Sequence, residues 1–137
     1  MSFSDYLEDK VLNHVFGGTS YTAPSTLYVG VFTSSASDSG PGTEVSGGSY
    51  ARQSVAMTVS GTSPTQAVNS AAVEFPEATA SWGTVTYAGI FDASTSGNLL
   101  AWAQLTDPAD FTTPLPKTIG IGDVLRLSAG NLKVTLD

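Results

Sequence analysis

From Thr26 onward the chain alternates apolar and polar residues with a period of two, broken about every ten residues by clusters of Gly, Pro and Ser. A period of two puts successive side chains on opposite faces of an extended strand, so this pattern commits the chain to β structure. Thr26–Thr33 sets Leu27, Val29 and Val31 against Tyr28, Gly30 and Phe32, and Tyr50–Ser60 sets Ala51, Val55, Met57 and Val59 against Tyr50, Arg52, Ser54 and Thr58. Ser70–Phe75 is a short strand ended by Pro76. Thr84–Asp92 and Asn98–Thr106 read as one hairpin. Asp123–Ser128 and Leu132–Leu136, flanking Ser128-Ala129-Gly130-Asn131, read as a closing hairpin. Residues 34–49 and 107–116 are loops, marked by Pro41-Gly42, Gly47-Gly48, Pro108, Pro114 and Pro116. About seven or eight short strands predict a mostly-β chain, an antiparallel β-sandwich or jelly-roll-like domain over residues 19–137.

One segment breaks the rule. Over residues 2–16, Phe3, Leu7, Val11 and Val15 recur every four residues, with Leu12 and Phe16 widening the stripe. Ser2 with Asp5 resembles a capping box, Asp5, Glu8 and Asp9 suit the positive end of a helix dipole, and Gly17-Gly18 supplies the stop. A helix of about four turns is marginal alone, so its apolar stripe must dock. Residues 1–18 are therefore expected to form an N-terminal helix packed on the domain or on a neighbouring subunit, within one structural domain overall. Phe3, Leu7, Val11, Val15 and Phe16 are the candidate interface.

Hydrophobic residues make up 41 % of the 137, enough for one core. Only 12 % are charged, about half the usual share. The surface must then rest on small polar residues or be partly hidden in an assembly. A net charge of −7 repels phosphate backbones and anionic lipid, which argues against nucleic acid and membrane as partners. No apolar run approaches the ~20 residues of a spanning helix, and the acidic N-terminal segment does not read as a signal peptide.

Chemistry has few places to reside. Cysteine is absent, which removes disulfides, thiolate ligands and thiol nucleophiles. His14 is the sole histidine and falls near the end of the helix, where a cation is favoured. No Gly-x-Ser-x-Gly elbow joins a strand to a helix. Glu74, Glu77 and Asp92 are the carboxylates a glycosidase would need, but strand-end acids are ordinarily solvated. Asp107 and Asp110 share a loop without a calcium-loop pattern. Gly120-Ile121-Gly122 lacks the third glycine and following helix of a dinucleotide fingerprint. No enzyme activity, cofactor or metal is expected. Tyr87 and Phe91 read as core, whereas Trp82, at a strand entrance before Gly83, is the candidate for partial exposure and ligand stacking.

The segment SFSDYLEDKVLNHVFGG followed by YTAPSTLYVGVFT, the block AAVEFPEATASWGTVTYAGIFDASTSGNLLAWAQLT and the ending GDVLRLSAGNLKVTLD resemble small bacteriophage virion proteins labelled tail-fibre proteins. The resemblance covers nearly the whole chain outside residues 34–48 and 106–117. It implies a virion structural protein, assembled in the host cytoplasm and present in many copies, as a tail-fibre-like attachment component or a capsid cement (decoration) protein. Its partners would be itself as a homo-oligomer, other phage structural proteins of capsid or tail, and a host surface receptor or glycan. The alternative from the residues is a carbohydrate-binding module using Trp82.

Overall fold

A computed structural model describes residues 1–136. In chain order the elements are β1 (Ser2–Phe3), α1 (Asp5–Val15), β2 (Leu27–Phe32), β3 (Gln53–Val55), β4 (Met57–Ser60), β5 (Thr65–Asn69), β6 (Val73–Glu74), β7 (Gly83–Val85), β8 (Tyr87–Phe91), β9 (Leu99–Gln104), β10 (Lys117–Ile119), β11 (Arg126–Leu127) and β12 (Lys133–Leu136). Every pairing is antiparallel. The main sheet has the order β1-β9-β8-β2-β3, and the other strands form three small ladders, β12-β5-β4, β10-β7 and β11-β6. The mostly-β antiparallel fold with one N-terminal helix is as the alternation requires.

The two layers meet through one core. Val29 and Val31 of β2, Val55 of β3 and Ala88 of β8 cluster with Val73, Phe75, Val85, Ile119, Leu125 and Leu127 from the small ladders and their connections. The opposite face of the main sheet carries a second cluster, Phe32, Ala36, Phe91 and Leu99, with Phe32 and Phe91 edge to face at 5.9 Å. Both faces of β2 are therefore covered, which accounts for its apolar residues falling on both sides.

Two runs that read as single strands are each divided between layers. Tyr50–Ser60 breaks at Ala56: β3 pairs with β2 in the main sheet, and β4 pairs with β5 in a ladder. Thr84–Asp92 breaks at Thr86: β7 pairs with β10, and β8 pairs with β2 and β9. Chains that turn a corner between layers keep their extended backbone but change partners, and alternation alone does not show this. The β8–β9 hairpin forms as expected, with a register shift at Ile90/Phe91.

The expected closing hairpin does not form. β11 pairs with β6 and β12 with β5. The cause is Asn69, 1 % exposed at the end of β5. Its Nδ2 donates to Ser128 O at 3.0 Å and Ala71 O at 2.9 Å, and its Oδ1 accepts from Leu132 N at 3.0 Å. The Ser128–Leu132 turn is thereby latched onto β5, so its two flanks join different ladders.

Residues 34–49 form an ordered cover that reaches both clusters, with Ala36 in the second and Val45 in the first. Thr33 N donates to Thr43 O, Val45 N donates to Val31 O, and Ala36 and Val45 are buried. Arg52 fixes this cover to the sheet. Its guanidinium stacks on the Phe91 ring at 3.5 Å, forks onto both carboxylate oxygens of Glu44 at 2.8 Å, and donates to Ala93 O and Ser96 O. Tyr50 Oη donates to Glu44 Oε1 at 2.7 Å and accepts from Val31 N, and burial together with the Glu44 carboxylate pushes its phenol well above the usual tyrosine range.

Candidate functional site

The fold leaves α1 largely uncovered. The helix starts two residues later than the capping-box reading placed it. Ser2 and Phe3 are instead in β1, paired with Trp102 and Ala101 on the edge of the main sheet. Ser4 is the cap: its Oγ accepts from Leu7 N and donates to Leu99 O, and its own N–H donates to Leu100 O. A buried serine thus fastens the first turn to β9 while satisfying an orphan helix donor. At the other end Thr19 N donates to Asn13 O, and Gly18 takes a φ of 71°, the left-handed conformation that ends helices.

The candidate interface residues divide between these two ends. Phe3 and Leu7 are half-buried on the domain. Val11, Val15 and Phe16 are 36, 61 and 83 % exposed, and Leu12 beside them is 57 % exposed. No residue of α1 is buried. The helix is fixed at its base and presents an apolar stripe to solvent over its last two turns, an arrangement ordinarily associated with a binding surface.

Trp82 is not a stacking platform. It is 5 % exposed, its Nε1 donates to Gly48 O at 2.9 Å, and Tyr50 and Phe75 pack against it at 5.4 and 6.3 Å between ring centroids. The position before Gly83 suggested a rim, but the 34–49 cover closes over it. Phe91 is in the core, whereas Tyr87 is half-buried and lies beside the half-buried Trp102. Trp102 Nε1 donates to Asp38 Oδ1 at 2.9 Å, again tying the cover to the sheet.

The polar candidates serve local structure. Asp92 accepts from Asn98 N and Nδ2, closing the β8–β9 turn. Asp110 accepts from Thr112 N, Thr113 N and Thr113 Oγ1, which lowers its carboxyl to about 2, the Thr113 hydroxyl being the largest cause. Asp107 accepts from Ala109 N. His14 Nδ1 accepts from Tyr21 N, holding the chain that leaves the helix. Glu74 and Glu77 are exposed. Among the described residues no group of three or more His, Asp or Glu lies close enough to hold a metal. No helix there is long and apolar enough to cross a membrane. Sequence reasoning missed the Arg52–Glu44–Tyr50 network, because Glu44 lies within the 34–49 loop and Tyr50 and Arg52 follow it, with nothing in their spacing to join them.

Fold and site together give a mostly-β, antiparallel chain with a solvent-facing helix near its N-terminus. The chain belongs to a family of phage fibre proteins: the family model described as podophage GP4 fiber I protein gp80 matches residues 2–135. It is thus a phage structural protein of the fibre type, a component of the virion. None of the curated proteins matches it.

Proposed function

We propose that this chain is a non-enzymatic, tail-fibre-like attachment component of the particle, present in many copies and assembled through the outer half of α1. The observation that carries the reading is the stripe Val11, Leu12, Val15 and Phe16, exposed on a helix whose base is fixed by Ser4. Burying such side chains contributes ~1.5–3 kcal/mol each, so leaving four in water is a cost that an assembly removes. The low charge content fits a surface partly hidden in contacts.

A domain of this length spans only ~35 Å by size scaling, so it serves as a compact module of a fibre rather than a long shaft. Repetition by symmetry, with the stripe against a second copy or another virion protein, supplies the length. The capsid-cement reading has the small size in its favour and the family against it. The carbohydrate-module reading loses its Trp82 platform to burial.

The test is Leu12→Asp with Phe16→Asp, which alters only exposed positions. The isolated protein should keep its melting temperature, while its assembly state in sedimentation and its copy number in purified particles fall. Unchanged incorporation would remove α1 from the account.

A further inference from the structure

A groove of about 600 Å³ runs between β9 and the three last strands, with the 107–116 loop as its rim. Lys117 of β10, Arg126 of β11 and Lys133 of β12 all line it. These are three of the five basic residues in a chain with twelve acidic ones. No carboxylate lines the groove. Among the described residues none of the three cations has an ion-pair partner, since the pairs formed are Lys10–Asp9 and Arg52–Glu44. Glu74 is opposite Arg126 in register without forming a pair, and Asp107 and Asp110 turn their oxygens to their own loop. Three cationic residues lining one cavity repel each other, and an anion bound among them relieves that repulsion.

The remaining lining narrows the class of anion. Phe111 is 39 % exposed on the rim with Lys133 Nζ 4.3 Å from its ring centroid, an apolar face beside a cation. Gln104, Ser128 and Asn131 add neutral donors and acceptors suited to hydroxyl groups. We propose that this groove binds an anionic saccharide, with Lys117, Arg126 and Lys133 on its carboxylate or phosphate groups, the amide and hydroxyl side chains on its sugar hydroxyls, and Phe111 against a ring face. No residue of α1 lines the groove, so the proposal stands independently of the assembly surface.

The test titrates the full chain with tetragalacturonate, with phosphomannan, and with neutral maltotetraose, following binding by calorimetry at low and physiological salt. At least one anionic saccharide is expected to bind, maltotetraose not to, and binding to weaken as salt rises. Lys117→Gln with Arg126→Gln changes two exposed positions and should weaken binding at least tenfold with the melting temperature unchanged. Phe111→Ala should weaken it further. Failure of both anionic saccharides to bind would overturn the proposal, as would undiminished binding by the double variant. Equal affinity for inorganic phosphate would reduce the groove to a simple anion site, and equal affinity for a hexaglutamate peptide would assign it to an acidic protein segment. Either result overturns the saccharide reading.

Discussion

Replacing Asn69 by Ala removes three side-chain hydrogen bonds from a position that is 1 % exposed. The lost bonds contribute about 1 kcal/mol each, and leaving Leu132 N–H and the Ser128 carbonyl without these partners adds to the cost, for a total of about 3–4 kcal/mol. In a domain of this size each kcal/mol shifts Tm by ~3–4 °C, so a fall of about 10–15 °C is expected by calorimetry at pH 7. The amide of Leu132 should also lose hydrogen-exchange protection more than the amides of β8. Asn69→Asp sharpens the test. The introduced carboxyl keeps an acceptor for Leu132 N–H but faces the Ser128 and Ala71 carbonyls, so burial and those oxygens raise its folded pKa above the unfolded value of ~3.9. A raised carboxyl pKa favours the folded state least when ionised. The deficit of this variant should therefore be smallest at and below about pH 4 and should grow as pH rises through the folded pKa. A Tm for Asn69→Ala within about 3 °C of the parent would refute the latch as the reason that β11 and β12 separate.

Three further outcomes are expected. Arg52→Ala leaves Glu44 partly buried without its partner and uncovers Phe91, so the urea midpoint should fall by the equivalent of about 3 kcal/mol, with Arg52→Lys restoring only part because a point charge does not fork. Gly89→Ala drives a methyl to 2.6 Å from Leu99 Cδ1 and 2.9 Å from Phe32 Cζ, costing about 1–3 kcal/mol, whereas Gly40→Ala, with nothing within 4 Å, should stay within about 0.5 kcal/mol by the same assay. The Asp110 carboxyl should titrate at about 2 by NMR and move upward in Thr113→Val; since its pKa is lowered, what it contributes to stability is present above the ordinary aspartate range and is lost as pH falls through about 2.

The sequence made strand character legible where apolar residues alternate, and illegible where other forces set the partner. β2, β8 and β9 lie within the ranges that alternation marks. β5 (TQAVN) and β10 (KTI) carry too few apolar residues to stand out, and each is a strand because a neighbour completes its hydrogen bonds. The splits at Ala56 and Thr86 leave no trace in period, because both halves remain extended. Ser4 displaced Ser2 as cap because tertiary bonds to β9 outweighed a local capping box. The apolar stripe of residues 3–16 was readable from spacing, but only the fold showed which half is covered: Phe3, in β1, and Leu7 are half-buried, while Leu12, Val15 and Phe16 face solvent. The groove cations were invisible as a set, since Lys117, Arg126 and Lys133 come from three strands in three different ladders.

The central claim is that the outer half of α1 is the surface by which this fibre protein enters the particle. Hydroxyl-radical footprinting of intact purified virions against the isolated protein measures it directly. The account predicts strong protection of Leu12, Val15 and Phe16 in the virion, with the labelling of the equally exposed Val59 and Ile121 little changed. Equal labelling of the helix stripe in both samples would contradict it.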